Sequence, residues 1–198
     1  MNYYVIGLQR AEQRLQDRIA HLKEGGFDVI PFYGFDGEKA KVQASVDYPW
    51  KATEGTYKIP AKHVGMNLSH MALWRLGLAL NQTLCIFEDD CVLNPHAKGC
   101  FDACVQLLPE DWDIYFPAHC CLADSPREQI SGMLYRLFSI PYCTHWYCVN
   151  AKTLPKLIDS VQAVHSPIDI AIHKGLSGVN IYASVPRLAE QFETEIPQ

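Results

Sequence analysis

Leu84-Cys85-Ile86-Phe87-Glu88-Asp89-Asp90 is the stretch on which the reading of this chain turns. Its first four residues are apolar and rich in β-formers, which predicts a short strand buried on both faces. Three carboxylates follow without a spacer. Side chains at i and i+2 of a strand share a face, so Glu88 and Asp90 are expected on one side and Asp89 on the other. Three adjacent anions repel one another unless a cation neutralises them. A hard divalent ion, Mn2+ or Mg2+, is the natural partner, and such ions commonly hold substrate phosphates as well. A solvated acidic strand end, with an aspartate capping the next element, has the same composition.

Upstream, Tyr3 to Leu8 is expected to be a strand. Arg10 to Lys23 carries Leu15, Ile19 and Leu22 at helical spacing, and Gly25-Gly26 supplies a stop. Phe27 to Phe32 follows as a second strand. This β-α-β opening favours a parallel sheet with a right-handed crossover. From Tyr33 to His63 the periodicity fails at Asp36-Gly37, Pro49, Gly55 and Pro60, and a loop this long in a compact domain is more often functional than idle.

Gly65 to Leu80 is expected to be a helix capped by Asn67 or Ser69. Downstream of the acidic strand come a helix over Pro95–Leu108, a strand over Asp113–Phe116 and an irregular polar stretch over 118–130. β-like segments follow at Met133–Ile140 and Cys143–Val149, then helices over Thr153–Val161 and from Ser166 to about Leu176. A short strand at Val179–Ala183 leads into a polar tail from Pro186. The fold class is therefore α/β, a mostly parallel mixed sheet flanked by helices, with residues 1–198 as a single domain. Ligands of such sheets sit outside the carboxyl ends of the strands, where the acidic trio and the loops after Leu8 and Phe32 meet.

Composition narrows the function. The 198 residues are 48% hydrophobic and 20% charged, with a net charge of −5 and no basic run. That balance lacks the field of a nucleic-acid binder. No apolar run reaches membrane-spanning length and no basic segment precedes an apolar stretch at the start, which leaves peripheral membrane contact open and points to the cytoplasm. The eight cysteines are expected to be reduced, with Cys85, Cys91, Cys143 and Cys148 acting as small hydrophobes in strand-like segments. Neither Cys100/Cys104 nor His119-Cys120-Cys121 has the paired spacing of a zinc site.

Seven short signatures then fall in order. Tyr4 to Arg10 followed by Arg14, Phe35-Asp36-Gly37, Gly65 to His70 with Trp74, Ile86 to Asp90, Thr144-His145-Trp146-Tyr147, Pro167-Ile168-Asp169 and Pro186 to Gln191 together resemble glycosyltransferase family 25. That family includes lipopolysaccharide-type sugar transferases and collagen galactosyltransferases. Gly7 stands where the family usually has asparagine and Met66 where it has cysteine, and the chain is short between Asp90 and His145. The resemblance implies a GT-A-type nucleotide-sugar-binding domain and an inverting hexosyl transfer, with galactose the first candidate. The donor would be a nucleotide-diphosphate sugar, a UDP-sugar first, and the acceptor a glycan or a lipid-linked sugar.

Carried over by motif, Leu8, Arg10 and Asp36 belong near the donor nucleotide, with Asp89 among the donor contacts and Glu88 and Asp90 on the metal. Asp36 before glycine is equally what an ordinary turn requires. Ser69 and His70 are expected near a helix start, where backbone N–H groups favour anions. His145 is a candidate for metal or substrate, although a histidine in an aromatic strand is commonly structural. Inverting transfer needs a base within reach of the acceptor hydroxyl. Asp169 is the motif carboxylate left for that role, with Asp113 and Glu190 behind it. A non-catalytic nucleotide-sugar or glycan-binding module of the same fold, and a metal phosphohydrolase using the acidic trio, are the competing readings.

Overall fold

The computed structural model describes residues 1–37, 60–120, 126–161 and 166–192. Pro49, Gly55 and Cys121 lie outside them. The opening unit is β1 (Asn2–Gly7), a 3-10 turn at Gln9–Ala11, α1 (Glu12–Glu24) and β2 (Ile30–Tyr33). Gly25 returns its N–H to His21 and Gly26 adopts φ +88, so the two glycines end α1 as expected. Phe27 and Val29 are buried just before β2 rather than within it.

Next come α2 (Ala61–Ala79), β3 (Leu84–Glu88), β4 (Cys91–Leu93), α3 (Ala97–Leu107) and β5 (Ile114–Phe116). β6 (Arg127–Ser131) and β7 (Leu134–Leu137) form an antiparallel ribbon. The chain then runs through β8 (Trp146–Val149), α4 (Leu154–Ser160), α5 (Ile168–Gly175), β9 (Ile181–Ser184) and β10 (Ala189–Gln191).

Besides β2, which starts later than expected, and the unexpected β4, three elements differ from the sequence expectation. α2 starts four residues before Gly65, so Asn67 and Ser69 are interior residues and not caps. The polar stretch before Gly132 contains β6, an exposed edge strand that pairs through its backbone and needs no apolar pattern. The polar tail contributes β10, which pairs with β4 in a separate two-stranded sheet.

The main sheet has the order β2-β1-β3-β8-β5-β9-β7-β6. β2, β1, β3, β5, β9 and β6 point one way, and β8 and β7 oppose them. This is the mixed α/β sheet the sequence predicts. Each central strand alternates between two cores. Leu84 and Ile86 join Tyr4, Ile6 and Tyr147 beneath α2, α4 and α5, whereas Cys85 and Phe87 join Val5, Trp146 and the faces of α1 and α3. Two-sided burial explains why β3 is apolar throughout until its final residue. A cleft opens at the carboxyl ends of β1 and β3, at Gly7 and Glu88, with residues of α1 and α2 among its walls.

Candidate active site

β3 ends at Glu88, and Asp89-Asp90 form a turn. The three carboxylates therefore diverge. Glu88 follows Ile86 onto the α2 side, where its Oε1 meets His70 Nε2 at 3.2 Å and accepts from Thr144 Oγ1 at 2.6 Å. Asp89 turns to α1 and accepts from Arg14 Nη2 at 2.7 Å, while its carbonyl accepts from Arg18 Nε at 3.1 Å. Asp90, released from the strand alternation, faces β10 and accepts from Gln191 Nε2 at 2.8 Å.

Their protonation follows from these partners. Burial pushes Glu88 up, but the hydrogen bonds from His70 and the Thr144 hydroxyl outweigh it and leave its pKa below the ordinary value. Asp89 is raised, chiefly by burial, against the pull of Arg14 and Arg18. Asp90 is pushed up to about 7 by burial and by the neighbouring Glu88 charge. Its Oδ1 is buried with no hydrogen-bond partner.

That orphaned buried oxygen is the observation that tests the fit of a hard cation, whose charge would favour the ionised carboxylate, and it fits. Magnesium-class ions are commonly held by one or two carboxylates together with substrate phosphates. No set of three carboxylate or imidazole groups converges here among the described residues; Asp90 carries the unpartnered oxygen, and Glu88 is held by His70 and Thr144.

The cleft encloses about 540 Å3 and is lined by Leu8, Arg10, Arg14, Ser69, His70, Glu88, Asp89, Asp90 and Asp169, among others. Most residues singled out from the sequence thus meet in one place. Asp36 stands behind the wall, paired to Arg10 Nε at 3.1 Å. Ser69 and His70 reach the cleft from the interior of α2, not from its start as expected; the first turn of that helix enters the same cleft through Ala61, Lys62 and His63. Ser69 Oγ instead donates to the Gly65 carbonyl and accepts from the Phe35 N–H at 2.8 Å. A Cβ on Gly65 would lie 2.4 Å from the Phe35 oxygen. Gly65 and Ser69, one turn apart, therefore form the seat for the Phe35-Asp36-Gly37 turn.

His70 is fully buried between Glu88 and the Tyr147 hydroxyl, 2.8 Å from Nδ1. Trp74 Nε1 donates to the same hydroxyl. Every group is satisfied if Tyr147 donates to Nδ1 and Nε2–H donates to Glu88. Asp169, in the first turn of α5, accepts the Cys143 N–H at 3.2 Å and the Ile170 N–H at 2.8 Å.

His145 does not line the cleft. Its ring is buried behind Thr144, and neither nitrogen has a hydrogen-bond partner. The reading of all cysteines as reduced is corrected: Cys120 and Cys143 form a disulfide with Cα atoms 5.6 Å apart. They stand 23 positions apart in the chain, and a backbone bridge between Cys120 and Tyr142 brings them together. Asp113 and Glu190 are also elsewhere. Asp113 is bound by Thr153 Oγ1 and the Asn180 N–H, and Glu190 pairs with Arg187.

Arg14, whose position in α1 suggests no more than a solvated helix charge, instead holds Asp89. The sequence patterns give no signal for His63, Thr144 or Gln191 as separate members of the site. His63 lines the cleft with a buried, unpartnered Nδ1, and burial lowers its pKa.

Residues 1–172 match the family model described as glycosyltransferase family 25 (LPS biosynthesis protein). The class this defines is that of the glycosyltransferases. The chain belongs to glycosyltransferase family 25. No curated protein sequence matches it.

Among solved structures, it is similar to a glycosyltransferase involved in the glycosylation of the major capsid of PBCV-1 (9% identity, TM-score 0.41, 78% of this chain and 61% of that one). It is also similar to a mannose-1-phosphate geranyltransferase from Thermus thermophilus (9%, 0.47, 92% and 72%). A third likeness is to mouse xyloside xylosyltransferase 1 in its apo form (11%, 0.36, 87% and 67%). The chain thus spans less than two thirds of the length of the first. No helix among the described residues is long and apolar enough to cross a membrane.

Proposed function

We propose that this protein moves a hexose from a nucleotide-diphosphate donor, a UDP-sugar first, to a glycan or lipopolysaccharide-type acceptor with inversion. The observation that carries the reading is the unpartnered buried oxygen of Asp90 at the end of β3, in a cleft walled by Arg10 and Arg14. Asp90, with Glu88 beside it, would hold Mn2+ or Mg2+. Such an ion, when bound, neutralises charge on the leaving diphosphate. Arg14 holds Asp89 on the α1 side, and His70 and Thr144 hold Glu88 on the other. Leu8, Arg10 and the Asp36 turn would take the nucleotide. Ser69 supports that turn and lines the cleft beside it.

On this reading Asp169 accepts the proton of the acceptor hydroxyl. The two backbone N–H groups on its carboxylate fix its orientation. The unpartnered Nδ1 of His63 in the same cleft makes that ring the alternative base.

The test is hydrolysis and transfer across a panel of nucleotide sugars, with Mn2+ or with chelator, in the wild type and Asp90→Asn. Sugar release that needs the ion and is lost in Asp90→Asn supports the reading. Donor binding without turnover, unchanged by chelator, supports the non-catalytic binding module instead. Phosphate release without sugar transfer would make the protein a phosphohydrolase.

A further inference from the structure

Cys120, Cys143 and His145 form the one group of three metal-capable side chains that converges among the described residues. One ligand atom from each lies within 4.8 Å of the others. We propose that these three residues bind a soft divalent cation of the zinc class, taken up when the Cys120–Cys143 disulfide is reduced and excluded when it is formed. The site goes beyond the sugar-transfer reading and does not depend on it.

Two observations carry the assignment. The first is the ligand chemistry. Two thiolates and an imidazole suit zinc far better than the hard ions that carboxylates select. Cα atoms 5.6 Å apart bring both sulfurs to the same point. The second is His145, which is 1% exposed and has both ring nitrogens buried without a hydrogen-bond partner. A buried polar atom left unpaired is costly, and native structures seldom carry one without a reason. The Ala189 backbone lies near the ring but outside hydrogen-bond geometry. A cation between His145 and the two sulfurs supplies the missing partner.

Backbone hydrogen bonds, and not the disulfide alone, position the ligand segments. Cys120 N–H donates to the Tyr142 carbonyl at 2.9 Å, and Glu88 N–H donates to the His145 carbonyl at 3.0 Å. The first joins the Cys120 segment to the one that carries Cys143, and the second ties His145 to the end of β3. His119, next in sequence, is already bound to the Ser184 carbonyl. Three protein ligands leave a fourth tetrahedral position for water or a small ligand.

The exchange balances as follows. A dithiol reductant gives two electrons and two protons to the Cys120–Cys143 bond and is itself oxidised to a disulfide. The two thiols then release their protons to solvent as the cation binds both sulfurs.

The experiment uses the full chain, stripped of metal and titrated with Co2+ as a spectroscopic probe, then with Zn2+ as competitor. Reduced protein should bind one equivalent with a thiolate-to-cobalt charge-transfer band that Zn2+ abolishes. Oxidised protein should show no band. Cys120→Ser and His145→Gln should weaken binding by more than the roughly 10–100-fold lost on disturbing an outer-shell partner. Asp90→Asn should leave the band unchanged, which separates this site from the acidic one. Should His145→Gln fail to fold, the half-buried Cys120 still provides the test. A band that persists in oxidised protein or in Cys120→Ser, or no band in reduced wild type, overturns the proposal.

Discussion

Glu88 Oε1 lies 3.2 Å from Nε2 of the fully buried His70, so the last residue of β3 is tied to the middle of α2. The tie continues through Tyr147 to Trp74. His70→Phe keeps the ring volume but removes both polar contacts. Each buried group left unsatisfied costs about 1–3 kcal/mol. The variant should therefore unfold at lower denaturant concentration by a difference on that scale, with an unchanged m-value. The Glu88 carboxyl should also titrate at higher pH, because burial is then opposed chiefly by Thr144. A Glu88 titration unmoved in carboxylate-resolved NMR would show that His70 does not set its charge.

Gly65→Ala tests the seat of the Asp36 turn. The added methyl would meet the Phe35 oxygen at 2.4 Å and the Gly37 nitrogen at 2.8 Å, both of them backbone. Neither can swing aside as a side chain would, so the turn must move off α2 at a cost of about 1–3 kcal/mol. Faster proteolysis near Phe35 and weaker nucleotide binding are expected, with global secondary structure retained by circular dichroism. Wild-type proteolysis and affinity would mean that the turn docks elsewhere.

If Asp169 is the base, Asp169→Asn should cut turnover by about two to four orders of magnitude, the usual contribution of a positioned base. Donor affinity should stay near that of the wild type. The asparagine oxygen can still accept a backbone N–H, so stability should fall by no more than about 1 kcal/mol, the scale of a helix-terminus charge. Comparing His63→Gln under the same conditions decides between the two bases. Near-normal turnover in Asp169→Asn with loss in His63→Gln assigns the role to His63.

His21 should make the protein acid-sensitive. Its Nε2 accepts the Leu93 N–H at 3.0 Å, which requires an unprotonated nitrogen, and burial lowers its pKa from 6.5. The unfolded chain therefore takes up the proton first. The contribution to stability is whole above pH 6.5 and is lost as pH falls from there through the folded value. Denaturant midpoints measured from pH 8 to 5 should decline below about 6.5 in the wild type and decline less in His21→Gln. Parallel slopes would exclude His21 as a contributor.

The sequence alone determined the frame. Four apolar residues before Glu88, the helical spacing of Leu15, Ile19 and Leu22, and the glycine pair after Lys23 are local signals. Local backbone physics acts on them wherever they stand, and they specified β3, α1 and its stop. Family motifs carried the site further, because Gly65, Ser69 and His70 occur as a set even when their separate tasks are hidden.

Only the tertiary structure decided what those side chains do. The strand ended at Glu88, two residues short of Asp90, so the i, i+2 rule did not apply and Asp90 parted from Glu88 and turned to Gln191, 101 residues on in the chain. Arg14 became the partner of Asp89 because α1 packs across the end of β3, a contact that no window around either residue contains. Cys120, Cys143 and His145 met for the same reason. Ligand geometry is a property of distances through space, and chain separations of 23 residues carry no period that a sequence can display.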